Sequence, residues 1–157
     1  MLKIMDDILP QILIKVFDTL GSGYKEHIYQ KAIEIEFQSE NILFHSEVIC
    51  PINYKGVQVG FERADIVIYN NSVPTSVLEL KSQTNSITKK EFIQLYKYLS
   101  NLKVQTGYII NFIITPDTIL NQSESKYRFL ELYKIEFTEF KLYKYSFRHS
   151  EYKDYSL

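Results

Sequence analysis

The chain carries one cysteine, Cys50, among its 157 residues, so it holds no internal disulfide, which accords with a reducing, intracellular setting. Its three histidines, His27, His45 and His149, are scattered, and with a single cysteine they do not make a Cys/His zinc site. No apolar run reaches the roughly 18–20 residues that a membrane helix needs. No basic stretch leading into an apolar core and a small-residue cleavage site is found at the start, so no signal peptide is read there. The expectation is a soluble intracellular protein without a membrane partner. Only two alanines occur, against many Ile, Lys, Asn and Tyr, a bias of an AT-rich coding genome that carries no chemistry. Internal repeats, low-complexity segments and convincing linkers are all missing, so one domain over residues 1–157 is expected.

Excess charge is also lacking. The net charge is -1, which gives no global basic signature for nucleic acid. The distribution is uneven. Residues 1–80 hold 6 Lys+Arg against 11 Asp+Glu, and residues 81–157 hold 12 against 8. The acidic half contains most of the candidate metal ligands, and the basic half is free to face a polyanion. Ordinary scatter of surface charge accounts for the same numbers.

Hydrophobic periodicity sets the order of elements. Residues 6–20 repeat apolar side chains at helical spacing, with Asp6 or Asp7 as cap and Pro10 in the first turn. Gly21-Ser22-Gly23 ends that helix, and a second is expected at about 24–39 with Glu26 in its first turn. The period then changes. Strands are expected at 44–54, 57–69 and about 75–81, joined by turns at Tyr54-Lys55-Gly56-Val57 and Asn70-Asn71-Ser72. A helix at about 88–100 precedes the near-continuous apolar run 104–114, the pattern of a strand buried on both faces. The order is α-α-β-β-β-α-β. Residues 127–148 interleave Tyr and Phe with Lys, Arg and Glu, and read as two strands or as a helix and a strand.

The chemistry lies in two of these strands. Asp65 falls in Arg63-Ala64-Asp65-Ile66, and fourteen residues later an apolar run closes on Glu79-Leu80-Lys81. Residues i and i+2 of a strand share a face, so Glu79 and Lys81 point one way and Leu80 points into the core. A hairpin between the strands brings Asp65 beside them. Two hard carboxylates suit Mg²⁺, which keeps waters and completes its shell with substrate phosphate. A lysine at such a metal orients the attacking water or helps to deprotonate it.

The order of elements with Asp65 and Glu79-Leu80-Lys81 resembles the PD-(D/E)XK nuclease superfamily, the restriction-endonuclease-like fold. Gly23-Tyr24-Lys25-Glu26-His27-Ile28-Tyr29 further resembles the signature of the small GxxExxY family within it. Tyr54-Lys55-Gly56, Gly60, Arg63-Ala64-Asp65, Gln94, Tyr98-Leu99, Gly107 and Asn111-Phe112 follow in register, so the likeness runs over about residues 6–113. Ala64 stands where the acidic motif often carries proline.

The resemblance implies an α/β core with a central mixed sheet flanked by helices, extended here by an aromatic and basic segment, 115–157. It implies a Mg²⁺-dependent nuclease, with Mn²⁺ as substitute, acting on DNA and leaving a 5′-phosphate and a 3′-hydroxyl. Asp65 and Glu79 would hold the metal, with the Leu80 carbonyl as a further oxygen and Glu26 reaching it directly or through water. Lys81 would position water and neutralise the phosphate, and Gln94 would bond a phosphate, a water or Lys81. Tyr29 is expected in the core with its hydroxyl bonded at the site edge. Arg63 is expected to pair with an acid, and Asn111 and Phe112 to pack at the end of the last core strand.

Two other readings stay open: a catalytically silent nucleic-acid-binding or assembly subunit on the same fold, and a nuclease of RNA or branched DNA. In the extension, Lys126, Arg128, Lys134, Lys141, Lys144, Arg148 and Lys153 stand among tyrosines that can stack on bases. The same alternation describes a half-buried strand, and an aromatic edge strand also leaves a homodimer open.

Overall fold

The computed structural model describes residues 2–85, 87–113, 129–137 and 141–148. Among these residues, three helices and six strands follow in the order α1 (Leu2–Leu20), α2 (Glu26–Ser39), β1 (Phe44–Tyr54), β2 (Val57–Asn70), β3 (Val73–Lys81), α3 (Lys89–Leu102), β4 (Thr106–Phe112), β5 (Phe129–Glu136) and β6 (Lys141–Arg148). The strands form one sheet in chain order. Only β3 and β4 run parallel; every other neighbouring pair is antiparallel. The parallel pair needs a crossover, which α3 supplies. The expected mixed sheet flanked by helices is therefore present, and the extension adds two strands to its far edge. No helix among the described residues is long and apolar enough to cross a membrane.

The centre of the sheet is buried on both faces. On one, Leu9, Leu13 and Phe17 of α1 and Tyr29, Ile33 and Phe37 of α2 cover Ile66, Ile68, Leu78, Leu80 and Ile110. On the other, Leu95, Tyr98 and Leu99 of α3 cover Ala64, Val67, Val77 and Ile109. Every residue of β4 is buried, as its apolar run predicts. A capping box of Thr88 and Glu91 starts α3. Lys55 and Gly56 both take positive φ in the two-residue turn between β1 and β2, the geometry that matches strand twist in a tight hairpin.

Three expectations are corrected. Helix α1 begins at Leu2, so Pro10 lies inside it and not in its first turn. Asp6 does not act as a cap. It accepts hydrogen bonds from the Tyr108 hydroxyl at 2.7 Å and Lys134 Nζ at 2.6 Å, tying α1 to β4 and β5. Lys134 is correspondingly withdrawn from the basic face expected for the extension: it is 8% exposed and also lies 3.3 Å from Glu136. Burial works against its charge, but Asp6 and Glu136 outweigh that and hold its pKa above the ordinary value. Tyr133 is buried too, with its hydroxyl on Glu131. Lys126, Arg128 and Lys153 lie outside the described residues.

Gly107 of β4 faces Leu95 of α3. A Cβ placed there meets Leu95 side-chain atoms at 2.9 to 3.0 Å, and Leu95 is itself fully buried. Gly107→Ala is expected to destabilise the fold by about 1–3 kcal/mol through overpacking. Urea unfolding measures this, and an unchanged midpoint would mean that α3 moves off the sheet without cost.

Candidate active site

Strands β2 and β3 pair from Asn70↔Val73 up to Ile66↔Leu78 and no further. The next opposed residues are Asp65 and Glu79. There the strands separate, and the Leu80 N–H, which has no ladder partner on β2, donates to Asp65 Oδ2 at 2.7 Å. Leu80 points into the core, 1% exposed, while Glu79 and Lys81 emerge on the opposite face. Lys81 Nζ lies 3.6 Å from Glu79 Oε1 and retains 22% side-chain exposure, so it stands at the mouth of the site.

Glu79 is 4% exposed, and its Oε2 is buried without a hydrogen-bond partner. Among the described residues only Ser76 Oγ shares that condition, and it is neutral. A buried carboxylate oxygen left bare is costly unless a cation meets it. Burial raises the Asp65 pKa to about 6, against the Leu80 N–H bond; the charges of Glu47 and Glu26 push it up further and Lys81 pulls it down. Burial likewise raises Glu79 to about 8, the Asp65 charge adds to this, and Lys81 opposes it. Two desolvated carboxyls that repel each other and are short of positive charge fit a divalent cation. Among the described residues no group of three or more His, Cys, Asp or Glu stands together as a metal cluster. The fit is therefore to an ion that takes two carboxylates and fills its other positions with water, substrate or main-chain oxygen.

The remaining expected residues surround this pair unequally. Glu26 is exposed at the first position of α2, near enough for its charge to act on Asp65. Its helix is anchored by Tyr29, fully buried, whose hydroxyl donates to the Gly21 carbonyl at 2.7 Å and accepts the Tyr24 N–H at 3.3 Å. Gln94 does not bond Lys81. Its Nε2 donates to the Tyr98 hydroxyl at 2.9 Å, which donates in turn to the Arg63 carbonyl at 2.9 Å, two residues before Asp65. Burial and the charges of Glu79 and Glu62 push the Tyr98 pKa well up, so Tyr98 stays a neutral donor. Arg63 pairs loosely with Glu47 at 3.9 Å.

Sequence reasoning missed Glu47 and Gln30. Glu47 stands opposite Asp65, between the pairs Ser46↔Ile66 and Val48↔Ala64, with φ of 54°. Gln30, buried one turn after Glu26, bonds both Glu47 and Glu34 at 3.2 Å. The spacing of Glu26, Gln30 and Glu34 along one helix face was a legible signal for this. Asn111, beside Lys81 in register, accepts the Gln83 N–H at 3.2 Å and donates to Glu131 at 3.1 Å and to the Asn85 carbonyl at 3.3 Å. It pins the loop that follows Lys81 to a buried carboxyl on β5.

A family model of the PD-(D/E)XK nuclease superfamily matches residues 3–122, and the chain belongs to that superfamily. Its members are typically nucleases that use divalent metals, which supports an enzyme that binds nucleic acid. No curated protein and no solved structure gives a significant match to the chain.

Asp65 and Glu79 bind protons more tightly folded than at their ordinary values of 3.8 and 4.5. Their contribution to stability is complete below that range and is lost as pH rises through about 6 and about 8. Metal-free protein is therefore expected to lose thermal stability between about pH 5 and 8, and Mg²⁺ to restore it at the upper end. Calorimetric melting with EDTA or Mg²⁺ measures both effects. Glu79→Gln should flatten the pH dependence, and an unaltered profile would refute the assignment.

Proposed function

We propose that the chain hydrolyses phosphodiester bonds in DNA with a bound divalent ion, Mg²⁺ by preference and Mn²⁺ as substitute. The observation that carries this is the buried Asp65–Glu79 pair with its bare Oε2, beside the Lys81 ammonium. Asp65, Glu79 and the Leu80 carbonyl would hold the ion, with Glu26 contributing through water. When bound, such an ion polarises the phosphate and supplies a water of lowered pKa.

The chain's own side chains do the rest. Lys81, half out of the site, sets a positive charge where negative charge builds on the phosphate and orients the attacking water. Leu80 N–H fixes the Asp65 carboxylate in its rotamer. Gln94 acts through Tyr98, which anchors the main chain at Arg63 and thereby the approach of Asp65.

Within the superfamily, the local structure of Gly23, Glu26 and Tyr29 supports assignment to the GxxExxY group. The Tyr29 hydroxyl closes the glycine loop and so sets where α2, and Glu26 with it, begins. A single catalytic domain working inside the cell accords with this reading, as does a buried free thiol at Cys50.

Cleavage of plasmid and labelled single-stranded DNA, with Mg²⁺, Mn²⁺ or EDTA, tests the proposal. Wild type should cut only with metal, and Asp65→Asn, Glu79→Gln and Lys81→Ala should each lose at least about 100-fold in rate. Titration calorimetry with Mn²⁺ gives an independent readout, in which Glu79→Gln should abolish binding and Lys81→Ala should not. Tight DNA binding by folded wild type without cleavage under any metal would replace the nuclease with a binding subunit. RNA or junction substrates cut faster than duplex would change the substrate.

A further inference from the structure

Lys81 is the last residue of β3, and its ladder with β4 ends at Lys81↔Asn111. On the next strand Asn111 pairs with Glu131. Directly opposed residues share a face, so Lys81, Asn111 and Glu131 form one row across β3, β4 and β5. Asn111 is fully buried and Glu131 is 4% exposed. Glu131 stands on the extension, beyond the residues 3–122 that the family model matches.

Hydrogen bonds run from this carboxyl to the main chain that carries the lysine. Glu131 accepts from the Tyr133 hydroxyl at 2.8 Å on one oxygen and from Asn111 Nδ2 at 3.1 Å on the other. The same Nδ2 donates to the Asn85 carbonyl at 3.3 Å, and Asn111 Oδ1 accepts the Gln83 N–H at 3.2 Å, two residues after Lys81. Turning the amide over would set its oxygen against two acceptors and its nitrogen against a donor. Asn85 belongs to the loop being held, so Glu131 fixes the amide from the body of the sheet. Tyr133 is itself wedged edge-on against Phe92, near the start of α3, with ring centres 5.3 Å apart. Side chains thus hold the main chain on both sides of Lys81. Asp65 takes the Leu80 N–H before it, and Asn111 takes the Gln83 N–H after it. A long side chain brings its charge to a reacting phosphate only if the backbone beneath it is held, and a shift of about 1 Å can cost about 100-fold in rate.

We propose that Glu131 is a positioning residue for Lys81. Its carboxyl fixes the Asn111 amide, which holds the chain at Gln83 and so places the Lys81 ammonium 3.6 Å from Glu79 Oε1. What the ammonium does there rests on the nuclease reading above; where it stands does not.

Amide hydrogen exchange and NMR of the metal-free full chain, beside single-turnover and steady-state cleavage with Mg²⁺, test this on Glu131→Leu and Glu131→Gln. Leucine fills the space without an acceptor, and glutamine keeps an acceptor for Asn111. In Glu131→Leu the Gln83 amide should exchange at least about 10-fold faster, while the β4 amides keep their protection. The Lys81 Cε resonance should move, and kcat should fall about 10-fold with KM and Mn²⁺ binding unchanged. Glu131→Gln should restore all three. Glu131→Ala takes the place of the leucine variant should that protein not fold. Unchanged Gln83 exchange overturns the proposal, as does faster exchange with the Lys81 resonance unmoved, or a loss that Glu131→Gln shares. A moved Lys81 with an unchanged rate keeps the placement and takes Lys81 out of the chemistry. A wild type that cuts nothing is a separate failure: exchange and the Lys81 resonance still decide the positioning, and the nuclease reading alone falls.

Discussion

The hydrogen bond from the Leu80 N–H to the Asp65 carboxylate, at 2.7 Å, stands where main-chain pairing between β2 and β3 stops. Pairing one step further would set Asp65 and Glu79 directly opposite, two like charges across a ladder, which is unfavourable. The side chain instead takes the donor that the departing strand abandons, and the strands open around both carboxyls. Three properties depend on that opening. Asp65 and Glu79 are desolvated together, Lys81 has a place at the mouth, and β2 is released to run out with β1 as an arm.

Such an opening weakens a sheet unless its neighbours are tightly held, and here they are. On the far side, β4 is buried along its whole length and pairs in register with β3 through Lys81↔Asn111. Asn111 satisfies its own amide on Gln83, Asn85 and Glu131, so the chain leaving Lys81 is anchored to β5. The Asp6–Lys134 pair fastens the first helix to the same strand, and Tyr29 stacks on Phe112 at 4.0 Å between ring centres. Buried polar groups in these networks have their partners, which makes them rigid. The bare oxygen of Glu79 is the one carboxyl exception among the described residues.

Much of the frame is legible because it depends on local signals. The amphipathic periods of α2 and α3, the Lys55-Gly56 turn and the apolar run of β4 each follow from nearest neighbours along the chain. So does the grouping of Glu79 and Lys81 on one face of a strand. Asp6 was misread for the same reason. In a linear reading an aspartate near a helix start is a cap, and nothing local reveals that Lys134, 128 residues away, claims it. Lys134 itself reads as a surface cation until β6 pairs beside its strand and covers it.

Glu47 shows where sequence stops and tertiary structure decides. Counting back from the Tyr54↔Val57 turn sets Ser46 opposite Asp65, but the shift at Ile52/Asn53 moves the register by one and brings Glu47 there instead. A one-residue slip changes which side chain meets the site, and no composition or period records it. The sequence by itself determined the order of elements and that Glu79 and Lys81 share one face of a strand, because alternation and spacing are properties of a single strand. Only the tertiary structure decided that β2 and β3 part at Asp65, that Glu79 is buried with an oxygen unmet, and that Gln94 bonds Tyr98 and not Lys81. Burial and desolvation arise when separate elements pack against one another, and they have no existence in one strand alone.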